Sequence, residues 1–200
     1  MRRISFRLGL TVICLPVFLL ACSDDGGIVP QPPQIDRNHE LQQGWSLFRQ
    51  RDYDTAANHF TAVVDHFPDA ADGYIGLGWC EIELDHLELG LDHLQTADRL
   101  ADEPDAIAGI AVAASALGLD SLAVETALRC TDESYLFIGN PTLSYTDLVY
   151  IRALGEFHLL RYEDCYESLR LLDDDIVIDM EAYDFREQLF EELDRLWGRV

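Results

Sequence analysis

The chain of 200 residues carries 37 Asp and Glu against 14 basic residues, all of them arginine, and its formal net charge at pH 7 is −23. A chain this acidic repels phosphate backbones and anionic lipid headgroups, which argues against direct nucleic-acid binding and against an electrostatic membrane-binding patch. Hydrophobic residues make up 48% of the chain, enough to form the core of one or two small domains.

The first 22 residues follow the order of an export signal. Three arginines precede an apolar run from Leu8 to Leu20, which is shorter than the roughly 20 residues of a membrane span. The sequence Leu19-Leu20-Ala21-Cys22 then resembles the lipobox of bacterial lipoproteins. This resemblance implies cleavage after residue 21, an acyl lipid on Cys22, and residence in the cell envelope. The alternatives are an uncleaved anchor, or an ordinary signal peptide followed by a chance cysteine.

The leader and the segment after it define three parts of the chain. We predict a lipoprotein signal peptide at 1–21, a lipidated Cys22 with a flexible tether at 22–36, and a helical domain at 37–200. The tether is rich in Ser, Asp, Gly, Pro and Gln, a composition that does not form a core. Ser23 resembles the residue of the outer-membrane sorting class, which implies the periplasmic face of the outer membrane if the organism has two membranes.

An internal repeat organises the chain after the tether. Small and apolar residues recur at a constant spacing, and the matching pairs are Gly44 and Gly78, Tyr53 and Leu87, Ala56 and Gly90, and Phe60 and Leu94. Together with Tyr74-x-x-Leu77-Gly78, Ala56-x-x-x-Phe60 and Pro68, these residues resemble the tetratricopeptide repeat (TPR) over residues 37–104. The resemblance implies pairs of antiparallel helices, A and B, in which the small residue of helix A lets helix B approach closely.

The predicted fold class is all-α, an α-solenoid of about four TPR-like helix pairs with a C-terminal capping helix. Pro68 and Pro104 are expected to end the second helices of the first two pairs. The third pair is expected at about 105–138, with helices at Ala106–Leu117 and Ser121–Cys130. An insertion at Tyr135–Pro141, with a short strand near Tyr135–Ile138, precedes a fourth pair from Thr146. A final helix is expected at about Asp179–Trp197; Asp184 followed by Glu187 resembles a capping box, so a start or bend of this helix at Asp184 is the alternative. Leu128 is assigned the position that Leu94 holds in the second pair.

The sequence contains no catalytic motif, and we predict no catalytic residue, no metal site and no cofactor. The six histidines are scattered, and Asp173 to Asp175 lack the Gly and the closing Glu of a calcium loop. Cys80, Cys130 and Cys165 match no zinc or redox spacing. They are interpreted as small buried residues, with a disulfide between two of them as the alternative.

The candidate binding site follows from the TPR resemblance, because certain helix A positions of these repeats face a concave groove. Those positions hold Leu41, Trp45, Phe48 and Arg49 in the first pair, Ile75, Trp79, Ile82 and Glu83 in the second, and Tyr150, Leu154, Phe157 and His158 in the fourth. An aromatic-lined groove suits an apolar peptide or helix. Two alternatives stay open: the protein covers this groove with its own segments, or the register is wrong and the residues belong to the core.

The expected function is therefore an interaction scaffold rather than an enzyme. The sequence predicts a lipid-anchored TPR-like lipoprotein that binds an envelope or periplasmic protein. The alternative is an enzyme accessory or a small-ligand-binding lipoprotein that uses the same groove.

Overall fold

The computed structural model describes residues 35–140 and 142–197. The predicted signal peptide, Cys22 and most of the tether lie outside the described residues. Nine helices form within these ranges: α1 (Arg37–Arg49), α2 (Tyr53–His66), α3 (Ala71–Glu83), α4 (Leu87–Leu100), α5 (Pro104–Ala116), α6 (Asp120–Ala127), α7 (Tyr145–His158), α8 (Tyr162–Leu172) and α9 (Phe185–Trp197). None of the helices in the described part of the chain is long and apolar enough to span a membrane. The all-α solenoid of helix pairs is confirmed.

Helices A and B of the first two pairs approach each other closely at the glycines where the repeat predicts it. A Cβ atom built on Gly44 would lie 2.7 Å from Cζ of Phe60, and one built on Gly78 would overlap Cγ of Leu94. Ala111 and Ala153 occupy the same position in the third and fourth pairs and are fully buried. The two glycines thus have equivalent settings, which rules out the register error that the sequence left open.

The turn between the two helices of a pair also repeats. One residue of each turn has a positive φ, and these residues are Arg51, Asp85, Gly118 and Leu160, with φ between 61° and 70°. Gly118 adopts this conformation without steric cost, whereas the other three residues carry a Cβ in the left-handed region. The same backbone turn therefore closes every pair, although glycine marks it in only one of them.

The stack of pairs has a defined inner side. Each A helix contacts the next A helix, from α1 to α3, α5 and α7, whereas no two of the described B helices touch one another. A stack whose A helices lie closer together than its B helices curves toward the A helices. We call the surface lined by α1, α3, α5 and α7 the inner surface.

Three details of the third repeat differ from the prediction. The step from the second repeat to the third is shorter by one position than the step before it, so Ala127, buried at 5% exposure, holds the position of Leu94, whereas Leu128 is 44% exposed. Pro104 begins α5 rather than ending α4, which stops at Leu100. The strand near Tyr135–Ile138 is reduced to one isolated antiparallel bridge between Leu136 and Ser144. The connection from α4 to α5 is shorter than that from α2 to α3, which explains the shift in register.

The last helix closes the C-terminal end of the stack. Helix α9 packs against α7 and α8 and buries Leu189, Leu193 and Leu196. It begins at Phe185 instead of Asp179, directly after Asp184, as the capping-box-like pair indicates. In its first turn the backbone N–H of Glu187 donates to the carbonyl oxygen of Asp184. Its apolar face covers the last helix pair of the described solenoid, as a capping helix does.

Candidate functional site

The segment Tyr135–Ile138, between α6 and α7, lies on the inner surface of the first two repeats. Phe137 is 1% exposed and stacks on Trp79, with ring centroids 4.1 Å apart. Its ring also meets Trp45 at 6.0 Å and Phe48 at 6.1 Å, both in edge-on geometry. Such ring pairs are favourable beyond the burial of their area. We call the part of the inner surface under this segment the covered half.

Hydrogen bonds fix the segment in place. The Tyr135 hydroxyl donates to Oδ1 of Asp105 at 2.9 Å, and the Trp79 indole donates to the Asp105 carbonyl oxygen at 3.0 Å. The backbone N–H of Phe137 donates to the carbonyl oxygen of Leu143 at 2.9 Å. Burial raises the pKa of the Asp105 carboxyl, an effect that the bond from Tyr135 partly offsets and Glu103 reinforces. One carboxylate residue therefore ties both the segment and the Trp79 ring to the start of α5.

The predicted site residues of the first two repeats share one surface, but the segment and the neighbouring helices cover most of it. Phe48 and Trp79 are each 3% exposed and Ile75 is 6% exposed, while Leu41, Trp45 and Ile82 are partly buried. Phe48, Ile75 and Trp79 are thus core residues in this conformation. At these positions the structure has the self-covered groove. Whether a partner also uses them stays a prediction.

Two charged residues of the predicted site, Arg49 and His158, lie at the ends of their helices. Arg49 lines a polar pocket of about 410 Å³ together with Arg51, Tyr53, Glu83 and other residues at the turn end of the first repeat. His158 lies at the end of α7, where Nδ1 is 3.0 Å from Oδ1 of Asp120. This pairing joins the end of α7 to the start of α6.

The aromatic positions of the fourth repeat contact the capping helix. The ring of Phe157 packs against that of Phe190 in α9, with centroids 6.2 Å apart, and against that of Tyr162 in α8, with centroids 5.7 Å apart. Leu154 joins the same buried cluster. Tyr150 is 5% exposed, and its hydroxyl donates to the Leu193 carbonyl oxygen at 3.2 Å. Tyr150 also lines a pocket on the inner surface.

An uncovered groove runs over the third and fourth repeats. It has a volume of about 350 Å³, and its lining is mainly apolar. The lining residues are Val112, Ser115, Ala116, Leu143, Asp147, Tyr150, Ile151 and Trp197. Val112, Leu143 and Asp147 also line a neighbouring pocket of about 290 Å³ that reaches Ile82 and Glu83 and borders the stacked rings of Trp79 and Phe137. We call the two together the open groove.

Most residues of the open groove were missed by the sequence reasoning, although the repeat could have found some of them. The shorter step into the third repeat leads from Trp79 to Val112 and from Ile82 to Ser115. Both positions lie in the predicted helix Ala106–Leu117, to which no groove residue was assigned. No pattern in the sequence points to Leu143 or Trp197, which reach the groove from the insertion and from the end of α9.

One acidic cluster in the described part of the chain brings potential metal ligands close together. Asp173, Asp174 and Asp175 are the cluster of potential ligand atoms found in the described part of the chain, all within 4.8 Å of one another. Asp173 accepts from Nη2 of Arg195 at 2.8 Å and from the backbone N–H of Asp175 at 3.2 Å. These contacts join the loop before α9 to α9 itself, which is a sufficient structural role for the acids.

The cysteines behave mainly as small core residues. Cys80 and Cys165 are fully buried free thiols, as expected, and burial raises the pKa of each to about 12. Cys130 is a free thiol that is only partly buried, and burial raises its pKa as well. A raised pKa keeps a thiol protonated and unreactive, so none of the three has the character of a nucleophile.

Comparison with known proteins supports the repeat assignment. A family model described as tetratricopeptide repeat matches residues 41–106. A search among curated proteins finds no match. Among solved structures the chain is similar to YrrB, titled a TPR protein with an unusual peptide-binding site, with a TM-score of 0.61, 14% identity, and coverage of 80% of this chain and 84% of that one.

MamA gives two further structural matches. The AMB-1 protein has a TM-score of 0.59 and 14% identity, and the match covers 82% of this chain and 93% of that one. The MSR-1 protein has a TM-score of 0.58 and 15% identity, with coverage of 81% and 99%. At these identities the likeness concerns the fold, and no catalytic family is indicated. Over residues 41–106 the chain is similar to the tetratricopeptide repeat, and its fold is an all-α solenoid of TPR-like helix pairs.

Proposed function

We propose that the chain is a lipid-anchored interaction scaffold of the cell envelope, which binds an apolar segment of a protein partner on its inner surface. The observation that carries the proposal is the open groove, an uncovered apolar surface on a fold of TPR-like pairs. YrrB, whose title names a peptide-binding site, has a similar fold, which is consistent with this use. Repeat solenoids bind partners along such extended surfaces.

The anchor is part of the proposal. The lipobox-like sequence ending at Cys22 supports acylation of that cysteine, and the polar tether to residue 36 would separate the domain from the bilayer. In a diderm organism, Ser23 favours the periplasmic face of the outer membrane. We expect metabolic labelling with radioactive palmitate to label the wild-type chain and not Cys22→Ser. Normal processing of Cys22→Ser, with full retention in the membrane fraction, would contradict the lipid anchor.

A small-molecule site is less well supported by the geometry. Such a site needs several polar groups that converge on one point. In the described lining of the apolar pocket, Asp147 already accepts from the backbone N–H and the hydroxyl of Ser144, in the capping box of α7. Apart from Asp147, Ser115 is the non-aromatic polar side chain in this lining. The two do not make up the convergent set of polar groups that a small-molecule site needs.

The scaffold is tested by photo-crosslinking in cells. A photoreactive residue is placed at Ala116, which is exposed in the open groove, and in a second strain at Leu171, which is 58% exposed on the B helix α8. We expect the Ala116 position to yield one discrete crosslinked protein. If no position on the domain yields any crosslink to a protein, the scaffold function is wrong.

A further inference from the structure

The open groove has a specific charge character in addition to its apolar lining. Its described lining includes two carboxylates, Glu83 and Asp147, and no arginine or histidine. Arg152 and Arg195, which are close in sequence to lining residues, are already paired: Arg152 with Glu156 at 3.0 Å, and Arg195 with Glu192 at 2.5 Å. At the end of the open groove nearest the first repeat, Glu83 also lines a polar pocket that contains Arg49 and Arg51.

A second pocket on the inner surface is also lined mainly by acidic residues. On the other side of the segment Tyr135–Ile138, a pocket of about 400 Å³ is lined by Asp69, Asp72, Glu103 and Asp105. Its one arginine, Arg37, is bound to Asp72 at 2.7 Å. Since the leader holds 3 of the 14 arginines and no acid, the remaining chain has a formal charge of 11 − 37 = −26. The groove therefore lies in a negative potential.

We infer that the open groove binds an amphipathic, basic segment of the partner. Its apolar side chains pack on Val112, Ile151 and Trp197, and its Lys or Arg side chains face the carboxylates along the groove. The inference rests on the proposed scaffold function and adds the site and the chemistry of the ligand. Oppositely charged groups around an apolar contact favour the right partner and speed its association.

The same charge argument disfavours the occupants that the chain itself could supply. The tether residues between Cys22 and the domain carry Asp24 and Asp25 and no arginine before Arg37. A second copy of the chain would bring a body of the same large negative charge, since the net formal charge is −23 with the leader included. Like charges that face each other across a contact cost free energy. Neither the tether nor a second copy of the chain therefore matches the charge of the groove.

The test uses the acylated full-length protein in phosphatidylcholine nanodiscs, with empty nanodiscs subtracted. Three fluorescent peptides of about 14 residues, about four helical turns, serve as probes. The first contains Leu, Ala and Lys, the second replaces Lys by Glu, and the third replaces Leu by Ser. We expect the Leu–Lys peptide to bind at least about tenfold more tightly than either counterpart, with an affinity that falls as salt rises. Equal binding of the Leu–Glu peptide would overturn the charge argument, and equal binding of the Ser–Lys peptide would overturn the groove.

Matched variants locate the binding. Trp197 and Phe190 are both exposed rings on α9, at 65% and 58%, but only Trp197 lines the groove. Trp197→Ala is expected to weaken binding of the Leu–Lys peptide about tenfold, and Phe190→Ala less than about twofold. Ala116→Arg and Ala116→Glu add side chains of comparable size and opposite charge in the groove; the first should weaken binding about tenfold and the second should leave it within about threefold. Equal effects within either pair would refute the inference.

The crosslinking strains separate this inference from the scaffold function. If Leu171 yields a crosslinked partner and Ala116 yields none, the scaffold stands and the groove is the wrong site. If the Ala116 partner contacts the groove through an acidic segment, mapped by mass spectrometry of the crosslinked peptide, the site stands and its assigned chemistry is wrong. Both results contradict the inference without contradicting the proposed function.

Discussion

The two halves of the inner surface use the same repeat positions in opposite ways. In the first two repeats, one position holds Trp45 and Trp79, and the protein covers these rings with Phe137. In the third repeat the equivalent residue is Val112, and no described residue fills the space above it, so a groove of about 350 Å³ remains. The difference is one of side-chain size on a shared backbone.

This comparison separates two meanings of an aromatic residue in a repeat. Large rings on the inner surface of the covered half create apolar area that the chain removes from water with its own insertion. Burying a side chain such as Phe137 contributes about 1.5–3 kcal/mol from area alone. Small residues at the same positions leave room for something else. In this molecule the uncovered part of the inner surface therefore begins where Val112 takes the place of the tryptophans.

The largest expected effect separates the two halves through their tryptophans. Trp79→Ala should lower the free energy of unfolding by about 3–5 kcal/mol, because the ring is 3% exposed and stacked on Phe137. Trp197→Ala should cost less than about 1 kcal/mol, because that ring is 65% exposed. Urea denaturation of both variants measures the difference. Equal losses would mean that the covered half is not a core.

Removal of the covering ring is the next largest effect. Phe137→Ala should cost roughly 3 kcal/mol, the low end for a buried phenylalanine, because the segment can move away from the cavity. We expect acrylamide to quench tryptophan fluorescence more strongly in this variant, since Trp79 and Trp45 lose their cover. Leu136→Ala, in the same segment but 59% exposed, is the control and should change neither quantity. Unchanged quenching in Phe137→Ala would show that the segment does not depend on this ring.

The fold could be predicted from the sequence to a greater extent than the site. Helix pairing depends on local patterns, such as Gly44 followed by Phe60, that recur at the same spacing in Gly78 and Leu94. The covering of Trp79 depends on Phe137, which lies far along the chain in an insertion that matches no repeat. A helix A position is recognisable from periodicity, whereas what lies above it is a long-range contact that periodicity does not encode. The family resemblance therefore located the surface but did not indicate which part of it the chain covers.

A buried polar contact joins the two helices of the fourth repeat. Glu156 of α7 is 1% exposed and accepts from the Ser168 hydroxyl of α8 at 2.5 Å and from Nε of Arg152 at 3.0 Å. Ser168→Ala leaves one buried carboxylate oxygen without its donor and should cost about 1–3 kcal/mol. Ser115→Ala, in the open groove, should change stability by less than about 0.5 kcal/mol. Thermal melts measure the loss of stability in each variant. If Ser168→Ala leaves the stability unchanged, Glu156 has found another hydrogen-bond donor.

The smallest expected effect is a pH dependence confined to the covered half. Burial raises the pKa of Asp105, so the native state holds its proton more tightly than the unfolded chain does. The stability from this group is complete below the ordinary carboxyl pKa and is lost as the pH rises through the raised native value. Asp105→Asn keeps an acceptor for the Tyr135 hydroxyl and removes this loss. Relative to the wild type, the variant should therefore gain a fraction of a kcal/mol as the pH rises from acid to neutral, since partial exposure screens the effect.

Denaturation curves of the wild type, Asp105→Asn and Asp105→Ala across this pH range test the assignment. Asp105→Ala should be less stable than Asp105→Asn at every pH, because the Tyr135 hydroxyl then loses its acceptor and the segment loses one of its ties to α5. The gap between the two variants measures the hydrogen bond, and the drift of the wild type against Asp105→Asn measures the carboxylate charge. A wild type that gains on Asp105→Asn toward neutral pH would reverse the sign and would mean that the ionised carboxylate stabilises the covered half.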